Sequence, residues 1–330
     1  MNFKKKINVN HAITCANGTD ALHIALLAID IKPDDEVITV AHTWISTSEV
    51  ISLCNAIPVW VDVKSDTFCI DENKVEQAIT PKTRAIIGVS LYGTMPDYKK
   101  LNEIAKKHNI ILIEDGSQSF GAIKNNNISS SCKYTDIATT SFFPSKPLGC
   151  YGDGGCIFTN NNKLGNKIRA IKNHGGLRRF EHKYIGMNSR LDTIQASILL
   201  TKLTYYDETI KKRNKIAQYY IDNITNKNLK LPTNYSTIED FHVWGQFSVL
   251  TPSKKYRDSL FNYFKQNNIN SAIFYPKSLD QQECFDKYKK RHSLKITKNI
   301  CDTIINLPIY SEIKKNELDK IINLTNEFQL

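Results

Sequence analysis

One lysine stands in the most chemically suggestive stretch of this chain. The segment Thr140-Ser-Phe-Phe-Pro-Ser-Lys-Pro-Leu-Gly-Cys-Tyr-Gly-Asp-Gly-Gly155 closes a strand-like run near Phe143 and passes Lys146 before a glycine-rich exit. Pro144 and Pro147 frame the lysine with stiff backbone. The pattern is not a Walker A loop, because no glycine precedes the lysine at the required spacing. It is not a dinucleotide fingerprint, because no GxGxxG precedes a helix. A lysine held in this way can form a Schiff base with a carbonyl. An ordinary surface lysine is the plainer alternative, and it explains the Pro/Gly framing poorly.

Two further clusters bear on that lysine. Asn17-Gly18-Thr19 precedes a helical pattern, and a helix N-terminus with free N–H groups suits a phosphate. Plain N-capping by Asn17 or Thr19 is the competing account. Glu114-Asp115-Gly-Ser-Gln118 follows an apolar strand, and parallel sheets bind ligands at the carboxyl ends of their strands. There the alternative is a carboxylate capping the next turn. Taken together, Lys146, Asp115, the aromatic Trp44 and the hydroxyls of Thr19 and Ser141 are the parts that pyridoxal phosphate requires. The lysine takes the aldehyde, the acid keeps the ring nitrogen protonated, and the helix end and hydroxyls hold the phosphate.

Alternating elements must position these residues. Helical stripes fall at Thr19 to Ile29, Thr47 to Cys54, Asp97 to Asn109 and near Leu164 to Ile171. Strand patterns fall at the run leading into Cys15, Glu36 to Val40, Ile57 to Val63, Arg84 to Ser90, Ile110 to Ile113, Asp136 to Phe143 and Gly155 to Thr159. The uninterrupted apolar run Ile110-Ile-Leu-Ile113 suits a strand buried on both faces. This alternation predicts an α/β layer fold with a mostly parallel sheet. The second half reads as a smaller α+β domain. It has a long helix over Ser189 to Tyr220, polar loops over Asn223 to Asp240, and a strand at Trp244 to Leu250. A helix at Ser253 to Asn267, a strand at Ser271 to Tyr275 and a closing helix near Lys315 to Phe328 complete it. The expected division is 1–180 and 181–330, with the boundary inside 173–190. Lys124-Asn-Asn-Asn127 reads as a surface loop.

Composition excludes several classes. The chain has 330 residues, 41% hydrophobic and 23% charged, which is the profile of a globular protein with ample core. No apolar run approaches a membrane span, and the basic start has no hydrophobic core behind it, so no signal peptide is expected. The expected compartment is cytoplasmic. The formal charge is +11, and its lysines lie in ones and twos, such as Lys106-Lys107, Lys211-Lys212 and Lys289-Lys290. That scatter favours attraction of anionic small molecules over a nucleic-acid groove. Eight cysteines form no CxxC pair and no zinc spacing, so they are expected as buried, reduced side chains, with no metal site.

Five stretches carry a resemblance to a known family. They are Cys-Ala-Asn-Gly-Thr-Asp-Ala-Leu (15–22), Val-Ser-Leu-Tyr-Gly (89–93), Ile-Glu-Asp-Gly-Ser-Gln-Ser-Phe-Gly-Ala (113–122), the Lys146 segment from Ser141 to Gly155, and Asn-Ser-Arg-Leu-Asp-Thr-Ile-Gln-Ala (188–196). The sequence resembles the DegT/DnrJ/StrS family of pyridoxal-phosphate sugar aminotransferases from about residue 8 onward. The form around Lys146 looks most like the WbpE/WlbC branch. Its enzymes aminate C3 of a UDP-linked 3-keto-N-acetylglucosaminuronate, with glutamate as donor, for surface polysaccharide such as lipopolysaccharide O-antigen.

The resemblance implies a fold-type I aminotransferase architecture and a set of roles. Lys146 holds the cofactor aldehyde and shuttles the proton, and Asp115 pairs with the ring nitrogen. Gln118 meets the phenolic oxygen side, and Trp44 stacks on the ring. Gly18, Thr19 and Ser141 hold the phosphate. Asn188 reaches the neighbouring subunit's phosphate, which implies a homodimer with shared active sites. Arg190 meets a substrate anion, and Tyr275 lies on the substrate side. The implied partners are a UDP- or dTDP-linked keto sugar and L-glutamate.

Three departures stand out. Ser90 replaces a frequent His, Phe274-Tyr275-Pro276 replaces His-Tyr-Pro, and the resemblance leads to the expectation that the family's N-terminal arm of roughly thirty residues is missing. The alternatives are amination at C4 of a 4-keto-6-deoxy sugar nucleotide, a dehydratase, and a non-catalytic cofactor-binding regulator. Lys146 argues against the dehydratase, in which His replaces it.

Overall fold

The computed structural model describes residues 2–233, 240–288 and 291–330. Lys289-Lys290 and residues 234–239 of the expected polar loop lie outside the described residues.

Seven strands form the central sheet: β1 (His11–Cys15), β2 (Glu36–Val40), β3 (Ile57–Val61), β4 (Thr83–Val89), β5 (Ile111–Asp115), β6 (Ile137–Ser141) and β7 (Gly155–Thr159). Their spatial order is β1-β7-β6-β5-β4-β2-β3. Only β7 runs against its neighbours, so six strands point the same way. The mostly parallel sheet expected from the alternation is therefore present. Layers on both faces explain why β2 and β7 are buried at every position.

Helix α1 (Asn2–Ile7) was hidden in the basic start of the chain. Its Phe3 and Ile7 enter the core, and the Phe3 ring stacks on Phe142, with centroids 5.2 Å apart, beneath the end of β6. Helix α2 (Gly18–Ala28) is capped by Asn17, whose side chain accepts from the N–H of Asp20 at 2.7 Å. It is apolar nearly all round and buries Leu22, Ile24, Ala25 and Leu26, as a helix inside the layers must. Helix α3 (Ser46–Leu53) covers β2 and β3. Helix α4 (Tyr98–His108) starts on an Asp97 cap and stops at left-handed Asn109. Helix α5 (Asn162–Ile171) starts on an Asn161 cap.

Helix α6 (Thr193–Asn223) runs 31 residues, a length of about 46 Å. It begins four residues later than the pattern indicated. The reason lies upstream: the Ser189 N–H is held by the Lys172 carbonyl, and Asn188 bridges Asn173, so this stretch stays extended. Leu199, Tyr206 and Ile210 of α6 pack in the large core. Ile216, Ala217 and Tyr220 pack in the smaller one. The smaller core also holds residues of β8 (Phe247–Leu250), α7 (Lys254–Gln266), β9 (Ile304–Leu307) and α9 (Lys315–Glu327). Helix α8 (Lys295–Thr303) precedes β9. The sequence pattern revealed neither α8 nor β9.

Two expectations need correction. Ser271 to Tyr275 is not a strand. Only Ala272 exchanges backbone hydrogen bonds with Asn306, and the next N–H, of Phe274, goes to the Asn306 side chain at 2.9 Å. The ladder ends there, and the chain turns toward the sheet. Lys124 to Asn127, expected as a surface loop, is the tip of a hairpin, with Asn125 and Asn126 exposed and Lys124 paired to Asn127. Ile123–Lys124 pairs with Asn127–Ile128, and Asn125 and Asn126 take positive φ. Six cysteines are buried, Cys54 is half-buried, and Cys284 is exposed, so the last is not a core side chain. Among the described residues, no helix is long and apolar enough to cross a membrane, and no cluster of His, Cys, Asp or Glu could hold a metal ion.

Candidate active site

The carboxyl ends of β4, β5 and β6 open onto one cavity of about 460 Å³. Gly18 and Thr19 line it from the start of α2, and Ser141 from the end of β6. Asp115 and Gln118 line it from the end of β5 and the turn beyond. Trp44, Lys146 and Tyr275 complete the wall. These eight residues span most of the sequence, yet the topology gathers them. Asn188 and Arg190 do not line this cavity; both are exposed elsewhere on the chain.

Lys146 sits in a tight turn. Its N–H donates to the Phe143 carbonyl at 2.9 Å. A side chain on Gly149 would meet the carbonyl oxygens of Phe143 and Pro144 at 2.7 Å, so the turn closes only over a glycine. Helix α6 pins the loop beyond. Lys202 Nζ donates to the Gly149 carbonyl at 2.7 Å, and Gln195 Oε1 accepts the Tyr151 N–H at 2.9 Å. No hydrogen bond or ion pair holds Lys146 Nζ among the described residues. Desolvation lowers the Lys146 pKa, and the charge of Asp115 opposes that shift. The amine is thus biased toward the neutral, nucleophilic form.

Asp115 is the last residue of β5, paired with Val89 and Thr139 on the flanking strands, and it is buried. Its Oδ2 accepts from Thr47 Oγ1 at 2.8 Å. Its Oδ1 accepts from the Ser117 hydroxyl at 2.6 Å and the Ser117 N–H at 3.2 Å. A carboxylate locked by donors at a strand end is aimed at a cation in the cavity. Its neighbour Glu114 points the other way, into a serine cluster. Burial pushes Glu114 up to about 7, against hydrogen bonds from Ser129, Ser130 and Ser90.

The far wall is a cradle. A side chain on Gly18 would meet Ser141 Cβ at 2.7 Å, so only glycine lets the α2 N-terminus approach the Ser141 hydroxyl. The first N–H groups of α2 have no intrahelical acceptor. Thr19 and Ser46 hydroxyls lie 2.7 Å apart beside them. Trp44 is 58% exposed, with its ring 6.2 Å from that of Tyr275. The Gln118 amide donates to the Tyr275 hydroxyl at 3.3 Å. These residues fit pyridoxal phosphate. The cradle suits a dianion, Asp115 suits a protonated ring nitrogen, and Lys146 offers an amine.

Thr47, Gln195 and Lys202 carry this geometry without having been named as site residues from the sequence, and Ser117 was read only as part of the stretch around Asp115. Gln195 lay inside the 188–196 motif, which was its one signal. Thr47 lay in a helical pattern, where a threonine has no distinguishing mark.

Comparison with known proteins gives a consistent answer. The DegT/DnrJ/EryC1/StrS aminotransferase family matches residues 1–325. A Pseudomonas aeruginosa protein named UDP-2-acetamido-2-deoxy-3-oxo-D-glucuronate aminotransferase is 41% identical over 304 residues, 92% of this chain and 82% of that protein. A pleiotropic regulatory protein of Geobacillus stearothermophilus is 38% identical over 320 residues, 96% of this chain and 85% of that protein. The crystal structure of ntda from Bacillus subtilis, with bound cofactor pmp, superposes with a TM-score of 0.89 at 29% identity, covering 98% of this chain and 74% of that one. With the family matched over almost the whole length and a cavity built for pyridoxal phosphate, this chain belongs to the DegT/DnrJ/EryC1/StrS aminotransferases.

Proposed function

We propose that the protein transfers an amino group from L-glutamate to C3 of a UDP-linked 3-keto sugar, UDP-2-acetamido-2-deoxy-3-oxo-glucuronate or a close analogue. The carrying observation is that Lys146 and Asp115 face one cavity and that the charge of Asp115 acts on the Lys146 amine. The substrate assignment rests on the Pseudomonas aeruginosa relative at 41% identity. The excess of 44 basic over 33 acidic residues favours a diphosphate-bearing sugar.

When bound, pyridoxal phosphate supplies an electron sink for the carbanion at the reacting carbon. The chain's residues do the rest. Lys146 would hold the cofactor through its amine, and the same amine is placed to move the proton at the substrate carbon. Asp115 holds the ring-nitrogen proton, fixed by Thr47 and Ser117. Gly18, Thr19 and Ser141 would hold the phosphate, and Trp44 and Gln118 would hold the ring. Tyr275 faces the sugar. Net, glutamate leaves as 2-oxoglutarate and the keto oxygen is replaced by an amine. The work is assigned to the cytoplasm and to amino sugars of surface glycans.

Purified protein with cofactor should be coloured and should bleach with glutamate. Adding a panel of 3-keto and 4-keto sugar nucleotides should restore the colour only with the 3-keto member, and mass spectrometry and NMR should locate the new amine at C3. Colour without bleaching would mark a cofactor-binding regulator, and amination at C4 would overturn the substrate.

The site is proposed to be shared within a homodimer. Asn188 and Arg190 lie outside their own cavity, and Leu177, Phe180, Ile185 and Ile194, nearby in sequence, are each exposed. In that arrangement Asn188 holds the partner's phosphate and Arg190 meets a substrate anion. Random re-association of inactive Lys146→Ala and Asn188→Ala chains should then recover roughly a quarter of wild-type turnover, since one site of each mixed dimer is intact. Recovery of none would place Asn188 in its own chain's site.

A further inference from the structure

Behind Tyr275, a line of buried groups runs along the large core. His42 follows β2 and is fully buried. Its Nε2 lies 2.8 Å from the Tyr92 hydroxyl, and its Nδ1 lies 3.5 Å from the Cys301 thiol on α8. The Tyr92 hydroxyl in turn donates to the Phe274 carbonyl.

The direction of every bond in this line is forced. A carbonyl only accepts, so Tyr92 commits its single hydroxyl proton to Phe274. The Tyr92 oxygen must then accept from His42, which places the ring hydrogen on Nε2. Nδ1 is left with a lone pair, and the Cys301 S–H is its donor. The protonation states agree. Burial takes His42 down to about 3 and Cys301 up to about 12, and it raises the Tyr92 phenol. Tyr275 faces the same line, its ring 5.9 Å from that of His42 and its phenol also raised by burial; the charges of Asp302, Asp280 and Arg257 act on Cys301, and Cys69 acts on Tyr92.

Tyr92 sets a second bond. Its backbone N–H donates to Gln118 Oε1 at 2.9 Å. A backbone N–H cannot accept, so the Gln118 NH2 end must face Tyr275, to which it donates. Tyr275 therefore accepts from Gln118. No acceptor among the described residues takes its own proton. Both ends of Tyr92 converge on one result: a tyrosine hydroxyl presented to the cavity as a donor.

We propose that His42, as its Nε2–H tautomer, is a positioning residue for substrate specificity. Through Tyr92 it holds the Phe274 carbonyl, and so aims the Tyr275 hydroxyl at an acceptor oxygen of the sugar nucleotide. This rests on the substrate reading above. Cys301 fixes the tautomer, and Phe274 takes part through its backbone, so its side chain is free to differ from the family's histidine.

The test compares His42→Leu, which removes the donor, with His42→Gln, whose amide can still donate to Tyr92. The probe is the 3-amino form of the UDP-sugar, run through the sugar half-reaction in reverse. His42→Leu should raise its KM about tenfold, the loss of one well-placed hydrogen bond, with kcat and the glutamate half-reaction within about threefold. His42→Gln should recover most of that loss. Tyr275→Phe should raise KM similarly, and combining it with His42→Leu should add little. Nitrogen-15 NMR of histidine-labelled holoenzyme should show His42 protonated on Nε2, with no titration from pH 6 to 8. An unchanged KM in His42→Leu, equal failure of the Leu and Gln variants, or an Nδ1–H signal would each overturn the inference. Failure of wild-type protein to use the UDP-sugar would instead overturn the substrate reading, while the NMR result still decides the tautomer.

Discussion

Replacing Lys146 with alanine should remove turnover by about a thousandfold or more, while leaving the fold intact. Both halves of that expectation follow from the site. A positioned acid–base group contributes about 10² to 10⁴ in rate, and among the described residues Lys146 is also the only amine lining the cavity. Stability should barely change, because no described hydrogen bond or ion pair depends on Lys146 Nζ. Removing an amine whose charged form is disfavoured by desolvation gives up little. The thermal midpoint should therefore match wild type while the cofactor becomes separable by gel filtration. A Lys146→Ala protein that still interconverts glutamate and 2-oxoglutarate at the wild-type rate would place the catalytic amine elsewhere.

The sheet and the cavity were unevenly legible in the sequence. The strand of β5 could be read because Ile110 to Ile113 is an unbroken apolar run, and a double-sided environment admits nothing else. Lys146 could be read because prolines and glycines leave a turn few other options; the close approach at Gly149 is the physical reason for that composition. Asp115 could be placed at a strand end, but not its three donors. Thr47 comes from a helix 68 positions away in sequence, and only the sheet order brings it under β5. His42 carries no mark of its own in the sequence, since its meaning depends on Tyr92, Phe274 and Cys301 together. Local preference failed outright at Ser271 to Tyr275. Those residue types favour extended chain, but the Asn306 side chain takes the N–H that a ladder would need. Asn188 and Arg190 show another limit. Their motif is specific, yet their position relative to the cavity cannot be decided from one chain's periodicity.

Exchanging Asp115 for asparagine is the second large effect, and it differs from the first in kind. The exchange keeps shape and removes charge. Turnover should fall by about 10² to 10³, or about 3–4 kcal/mol of transition-state stabilisation, because a neutral amide cannot hold a proton on the ring nitrogen. A stability cost should accompany it. Asp115 accepts from Thr47 and twice from Ser117 in a buried setting, whereas asparagine offers one oxygen and sets an NH2 group against a hydroxyl that now donates. Leaving one buried polar group poorly matched costs about 1–3 kcal/mol, visible in the urea midpoint. Thr47→Val separates the two contributions. It leaves the carboxylate charged but frees one oxygen, so its kinetic loss should be about tenfold, far below that of Asp115→Asn. The Lys146 amine supplies an independent readout, because the charge of Asp115 raises its pKa. In Asp115→Asn that support is gone, and the pH at which Lys146 becomes reactive to an acylating reagent in cofactor-stripped protein should fall. An Asp115→Asn enzyme with wild-type turnover and an unmoved Lys146 profile would show that the carboxylate serves the turn at Ser117 and not the chemistry.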